Sequence, residues 1–182
     1  PRAVRSTYDV QIGFDLGTSS SKVVIGFPDL EKSIPVVFRP DLAGISRYLL
    51  PTAYLEKADK CLLIDSGYGS HTNFKMRLME AIANGQVPPF DLKVDLVVYA
   101  ALVLQHSTAW FLEKHDRDFG HLDLCWNLSV GFPAKKVEGP MEAVYLHCLK
   151  AATALGGSDR PITREIARLE LERGFDQTSA GP

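Results

Sequence analysis

The first third of the chain reads as short hydrophobic runs bounded by turn-forming residues. Runs at 8–16 and 21–27 flank the segment GTSSS, and a third run, IPVVF, covers 34–38. This pattern predicts three strands, with the first two joined by a tight turn. Two more strands are expected within 49–65, after a loop at 41–48. The composition of SGYGSHTN, at 66–73, predicts an exposed loop.

In the rest of the chain, the spacing of apolar residues is mainly that of helices. Four segments have helical patterns or boundaries, at 74–85, at about 91–114, at 139–155 and at 162–173. The second of these is apolar nearly all round, which is typical of a helix buried between other elements. One further run, LCWNLSVGFP at 124–133, predicts a central strand. The order of elements indicates a mixed α/β domain and excludes a regular βαβ repeat.

Composition narrows the classes of function. The 182 residues are 46% hydrophobic and 23% charged, with a net charge of −2, as in a soluble globular protein. This balance provides no electrostatic footprint for nucleic acid or for a membrane surface. The longest apolar run, LVVYAALVL at 96–104, is too short to span a bilayer and predicts a core helix. We therefore expect neither nucleic-acid nor membrane partners.

Cys61, Cys125 and Cys148 are far apart and lack metal-ligand spacing. An odd number of cysteines in apolar surroundings favours reduced, buried thiols over disulfides. The cysteines thus predict a reducing compartment, and we expect the protein to be cytoplasmic.

The stretch FDLGTSSSK carries the clearest candidate chemistry. Gly17 permits a tight turn between two strands, and the backbone amides around it can point to one spot outside the turn. Such a cluster of N–H groups binds anions, and neighbouring hydroxyls add donors for phosphate oxygens. The candidate phosphate-binding residues are Gly17, Thr18, Ser19, Ser20 and Ser21.

Asp15 precedes this turn and would repel a bound phosphate. Its position is explained if a hydrated Mg²⁺ lies between the carboxylate and the phosphate, because Mg²⁺ keeps several waters and takes few carboxylates. Turn and carboxylate together predict metal–nucleotide binding. The alternative is an ordinary hairpin in which the hydroxyls decorate the turn and Asp15 hydrogen-bonds its own loop.

The segment IGFDLGTSSSKVVI resembles the first phosphate-binding segment of the actin-like ATPase superfamily, with both flanking strands in place. Three further stretches, YLLPTAYLE (48–56), FKMRL (74–78) and LSVGFPAKK (128–136), resemble the branch of heat-shock-seventy chaperones. The resemblance implies a ribonuclease-H-like core: a mixed five-stranded sheet with flanking helices and a small inserted subdomain at about 40–90. It also implies ATP and Mg²⁺ as cofactors, with Asp15 as a catalytic residue that holds Mg²⁺ through water.

Two more catalytic candidates come from the same resemblance. Lys75 occupies the place of the lysine that orients the attacking water, although Arg77 is an alternative for that role. Glu165 lies in the register of the family's glutamate, but with Arg164 and Ile166 where the family has Asn and Pro. A solvated lysine at a helix end, and a surface glutamate paired with Arg164 or Arg168, are the structural alternatives.

The family's second phosphate loop does not occur in this sequence, so we expect residues 1–182 to form the N-terminal lobe of such an ATPase. The expected function is Mg–ATP binding and hydrolysis that drives lobe closure and binding of a client or co-chaperone, with little activity in this chain alone. Three alternatives stay open: a sugar or small-molecule kinase, an actin-like filament ATPase, and an inactive interaction module.

Overall fold

The computed structural model describes residues 7–64, 69–131 and 140–178. The strands are β1 (Thr7–Leu16), β2 (Ser20–Phe27), β3 (Lys32–Pro35), β4 (Leu50–Pro51), β5 (Ala53–Glu56), β6 (Cys61–Leu63), β7 (His71–Thr72) and β8 (Asp123–Val130). The helices are α1 (Phe74–Ala83), α2 (Phe90–Phe119), α3 (Pro140–Gly156) and α4 (Arg164–Thr178). The chain is therefore α/β. The order of strands and helices follows the hydrophobic pattern, except that residues 49–65 contain three short strands, β4, β5 and β6, instead of the expected two.

The chain divides into two compact units. The first unit comprises Pro1–Leu50 and His106–Phe132, and the second comprises Pro51–Gln105 and Pro133–Pro182. Helix α2 contributes to both, because the boundary falls between Gln105 and His106.

A mixed five-stranded sheet is the centre of the first unit. Its order is β3-β2-β1-β8, and β4 also pairs with β2. Strands β1, β2 and β3 form an antiparallel meander, whereas β8 pairs with β1 in parallel. Alternate residues of the first two strands are buried: Val10, Ile12, Phe14 and Leu16 on β1, and Val23, Ile25 and Phe27 on β2. The inward face of the hairpin is therefore apolar, as expected of a strand pair with one buried side.

Aromatic rings from the C-terminal part of α2 complete this core. The Phe27 ring lies 5.4 Å from the Phe111 ring and 4.6 Å from the Phe119 ring, centroid to centroid. Phe111 also meets Trp126 of β8 edge-on at 5.7 Å. These contacts join β2 and β8 to the C-terminal part of α2.

The second unit contains a small antiparallel sheet, in the order β6-β5-β7, together with helices. Helix α2 contributes a nearly continuous buried run from Leu92 to Leu104. Gly156, at the end of α3, lies so close to α2 that an added Cβ would come within 2.8 Å of the Leu104 Cβ. A close helix approach thus explains the glycine at this position.

Helix α2 is long and apolar enough to cross a membrane by length and composition alone. However, 72% of its most apolar 18-residue window is buried within the fold. Such burial is typical of a core helix, and by itself the apolar pattern of α2 is weak support for a membrane span.

Three other local predictions are wrong. Strand β8 ends the described strand order rather than lying at its centre, and its residues alternate between half-buried and exposed. The period-2 alternation of Leu124, Trp126 and Leu128 with polar neighbours is typical of such a half-covered strand. Cys125 is exposed, because it projects from the opposite face of β8, whereas Cys61 and Cys148 are buried. His71 and Thr72 form strand β7 instead of an exposed loop.

Parts of two other predictions lie outside the described residues. These are residues 66–68 of the predicted loop and residues 132–136 of the LSVGFPAKK stretch.

Candidate functional site

The glycine turn joins β1 to β2 in the first unit. The register pairs Leu16 with Ser21 and Asp15 with Lys22, and residues 17–19 form the connection between the strands. An added Cβ on Gly17 would overlap the backbone carbonyl oxygen of Ser20. Glycine is therefore required here by close backbone approach, as the sequence predicts.

The hydroxyl residues of the turn fall into two groups. Thr18, Ser19 and Ser20 are exposed, so their hydroxyls are open to a ligand. Ser21 is 1% exposed and has a partner within the fold. Its alternation with exposed Ser20 and Lys22 follows from the pleat of β2, which turns Ser21 toward the core. The accessible donors therefore come from three of the four predicted hydroxyl residues.

Asp15 lies at the carboxyl end of β1, next to the end of its parallel neighbour β8. The backbone N–H of Gly131, which follows β8, donates to the carbonyl oxygen of Phe14 at 3.0 Å. A Cβ added to Gly131 would lie 4.0 Å from Oδ1 of Asp15. Asp15 therefore lies where the parallel strands β1 and β8 reach their carboxyl ends.

The Asp15 carboxylate has a cationic neighbour. Nζ of Lys22 lies 3.0 Å from Oδ2 of Asp15, and the side chains of Lys22 and Asp15 are 54% and 57% exposed. The two residues are directly opposite in the hairpin, so this is a cross-strand ion pair. The pair neutralises the carboxylate locally and leaves Oδ1 available to other ligands.

The side chains around Asp15 suit a cation that keeps its own waters better than a cation enclosed by protein ligands. Among the described residues, no group of three or more His, Cys, Asp or Glu side chains is arranged to hold a metal ion. A single exposed carboxylate beside a turn of exposed hydroxyl residues fits a cation that keeps most of its waters, as Mg²⁺ does. Asp15 would hold such an ion through water.

The other two catalytic candidates belong to the second unit. Lys75 lies in the first turn of α1 and is 6% exposed, with a partner in the fold, so it is not a solvated lysine. Arg77, the alternative, is exposed. Glu165 is exposed in the first turn of α4. Its neighbour Arg164 is much less exposed, with 19% of its side chain accessible.

Arg164 is at the centre of a polar cluster that the sequence analysis missed. Its Nη1 donates to Oδ1 of Asp95 and, at 2.7 Å, to the Tyr54 hydroxyl. The Tyr54 hydroxyl donates in turn to Oδ1 of Asp95 at 2.6 Å. The His71 ring stacks on the Tyr54 ring at 4.5 Å. The Arg164 cluster consists of Tyr54, Glu56, His71, Asp91, Asp95, Arg164 and Arg168.

Burial governs the acid–base properties of this region. It raises the pKa of the Tyr54 hydroxyl above its ordinary value of 10.0, despite the opposing charge of Arg164. Burial, reinforced by the charge of Glu56, raises the pKa of Cys61 to about 11. Both groups therefore stay protonated at neutral pH, and Tyr54 acts as a hydrogen-bond donor to Asp95.

One signal for this cluster was present in the sequence. Asp95 interrupts the apolar stretch of α2 and is 8% exposed, and a buried carboxylate needs a partner. The partners, Tyr54, His71 and Arg164, are remote in sequence, so their identity depends on the tertiary structure.

Comparisons of the chain with protein-family models, with curated proteins and with solved structures found no match.

Proposed function

We propose that this chain supplies the phosphate-binding turn of a Mg–ATP site, as the N-terminal lobe of an ATPase of the actin-like superfamily, closest to heat-shock-seventy chaperones. Its core would then be ribonuclease-H-like. The observation that carries the proposal is the position of the turn: Gly17 and Asp15 lie where parallel strands β1 and β8 end. In open α/β sheets, ligands bind at the carboxyl ends of the strands.

The chemistry of the turn supports a phosphate ligand. The exposed hydroxyls of Thr18, Ser19 and Ser20 are donors that would suit phosphate oxygens, and backbone amides of the turn would add to them. Bound Mg²⁺ would neutralise phosphate charge, and Asp15 would position its waters. Hydrolysis in such a site depends on positioning and electrostatics rather than on a covalent intermediate. Lys75 remains the proposed residue for orienting the attacking water. Glu165 is the proposed carboxylate that would place the waters of the metal or accept a proton from the hydrolytic water.

The proposed biological output is lobe closure that controls binding of a client or co-chaperone in the cytoplasm. In this scheme the chain provides part of the nucleotide contacts, so we expect weak ATP binding by residues 1–182 alone and tighter binding by the full-length protein.

Calorimetry of Mg–ATP binding tests the proposal. Full-length protein should bind ATP in a Mg²⁺-dependent manner, and Asp15→Ala should abolish that dependence. Asp29→Ala is the matched control, because Asp29 is an exposed aspartate of the same unit, outside the turn. If Mg–ATP binding is absent in full-length protein, or is equal in the two variants, the proposal fails.

A second function, an inactive interaction module with an ATPase-like fold, is favoured by one observation. The Lys22–Asp15 ion pair satisfies the carboxylate without any ligand. A module of this kind would bind its partner equally with and without ATP, and its partner binding would be unchanged by Asp15→Ala. Partner pull-down with and without Mg–ATP separates the two functions.

A further inference from the structure

We propose that Arg39 and Arg47 form an anion site for a phosphate group, separate from the glycine turn and independent of Mg²⁺. Both residues belong to the segment that follows β3 in the first unit. The backbone N–H groups of Phe38 and Arg39 both donate to the carbonyl oxygen of Arg47, each at 3.0 Å. The backbones of Arg39 and Arg47, eight positions apart in the sequence, are thus held next to each other.

The guanidinium groups of both arginines have unused hydrogen-bonding capacity. Nε of Arg39 and Nε of Arg47 are closed to solvent and have no hydrogen-bond partner. Within residues 7–64, 69–131 and 140–178, neither guanidinium forms an ion pair or a side-chain hydrogen bond. A buried donor without an acceptor is costly, and one common explanation is an ion that occupies the position in solution.

The residues next to Arg39 and Arg47 in the loop include aromatic rings, which carry no negative charge. The Arg47 guanidinium lies 5.6 Å from the centre of the Tyr48 ring, and the Phe38 ring stacks on the His106 ring at 5.3 Å. The acidic residue of the loop, Asp41, is exposed and pairs with neither arginine. Two cationic side chains on neighbouring backbone positions, neither paired with a carboxylate among the described residues, favour a bound anion.

Phosphate fits this arrangement better than a carboxylate does. A phosphate group carries a charge close to −2 and several acceptor oxygens, which match two guanidinium forks. One carboxylate would neutralise only one of the two arginines. The ligand is thus either free phosphate or a phosphate ester, since both present the same oxygens.

The register of the sheet places this site at the same end of the strands as the glycine turn. The N–H of Val36 donates to the carbonyl oxygen of Val23 at 2.9 Å, so the chain leaving β3 runs toward the start of β2 at Ser20. The arginine site has its own donors, however, and does not use Asp15. Its test is therefore independent of the Mg–ATP proposal.

The first experiment is an NMR titration of the 182-residue chain labelled with ¹⁵N-arginine. Inorganic phosphate is added without Mg²⁺ at constant ionic strength, and the Nε–Hε resonances of Arg39 and Arg47 are followed. Both should shift with one dissociation constant. Glycerol phosphate replaces inorganic phosphate in a second series, to distinguish an ester ligand from the free ion, and acetate serves in a third. If the two resonances stay unshifted by phosphate, or if acetate binds as tightly, the proposal is overturned.

Variants then assign the site. Arg39→Gln should weaken phosphate binding, reported by Arg47, by about tenfold or more, because charge-assisted hydrogen bonds are lost. Arg117→Gln is the matched control, as an exposed arginine of the same unit, and should leave the affinity unchanged. Equal weakening by Arg117→Gln would indicate nonspecific attraction and overturn the site. The titration of the unsubstituted chain does not depend on whether any variant folds.

Discussion

The carboxylate of Asp15 and the ammonium of Lys22 lie 3.0 Å apart, directly across the first hairpin. More than half of each side chain is exposed. Such a pair contributes at most about 1 kcal/mol to stability, so its main consequence is electrostatic. It places a positive charge at the carboxylate that we propose as the anchor of a hydrated Mg²⁺. Lys22 and the metal ion therefore compete for Asp15.

Lys22→Gln is expected to lower the Mg²⁺ concentration required for half-maximal ATP binding, because the competing charge is removed. The free energy of unfolding should change by less than about 1 kcal/mol. Calorimetric titrations across a Mg²⁺ series measure the first effect and thermal unfolding the second. Lys32→Gln, at an exposed lysine of β3, is the control. A higher Mg²⁺ requirement in Lys22→Gln would contradict competition.

Gly17→Ala should distort the turn, because the added Cβ would overlap the Ser20 carbonyl oxygen. We expect a loss of about 1–3 kcal/mol in the free energy of unfolding and loss of Mg–ATP binding. Gly26→Ala is the matched control within the same hairpin, since its Cβ would meet its nearest atom at 3.7 Å, an ordinary contact. Equal effects of the two substitutions in denaturant unfolding would show that Gly17 has no special role.

Arg164→Leu is expected to destabilise the protein by about 3 kcal/mol, because Asp95 would be left largely buried without its cation. Arg168→Leu should cost less than about 1 kcal/mol, since Arg168 is 46% exposed and pairs with Asp91, which is 66% exposed. Urea unfolding of both variants measures the difference. Similar losses in the two would mean that the burial of Arg164 is energetically unimportant.

Tyr54 and Asp95 should be energetically coupled through their 2.6 Å hydrogen bond. Tyr54→Phe and Asp95→Asn, singly and together, form a double-mutant cycle, for which we expect a coupling energy of about 1–2 kcal/mol. Tyr145→Phe, at a buried tyrosine of α3, replaces Tyr54→Phe in the control cycle with Asp95→Asn. Additive effects in the first cycle would rule out the coupling.

The three cysteines should differ in reactivity. Burial raises the pKa of Cys61 to about 11 and that of Cys148 to about 12, whereas Cys125 is exposed. At about pH 8, native protein should therefore be alkylated first at Cys125, because the thiolate is the reactive form. Mass spectrometry of alkylated peptides measures the order. Faster labelling of Cys61 or Cys148 than of Cys125 would contradict the burial of these two thiols.

The same pKa shifts predict alkaline destabilisation. In the unfolded chain both buried thiols ionise near their ordinary value of 9.0, whereas in the folded protein Cys61 stays protonated up to about pH 11. Their contribution to stability is complete below pH 9. It is lost as the pH rises toward about 11 for Cys61 and about 12 for Cys148, because the unfolded state then binds fewer protons. Urea unfolding at a series of alkaline pH values measures the slope, which Cys61→Ala should reduce.

The first hairpin could be predicted from local sequence, because its determinants are local. Alternating apolar residues specify the buried face of β1 and β2, and Gly17 specifies the tight connection. The same holds for α2, whose apolar residues nearly surround it. In these elements, each residue's conformation is largely decided by neighbours within a few positions. The α/β class and the order of elements therefore followed from the sequence alone.

The pairing of strands and the partners of charged residues depended on the tertiary structure. The end position of β8, the two-residue strand β7 and the ion pairs of Arg164 all join residues remote in sequence. Arg164 and Glu165 are adjacent and both charged, yet the first is buried beside Asp95 and the second is exposed. Helical geometry turns adjacent side chains to different faces, and only packing against β5 and α2 determines which face is covered.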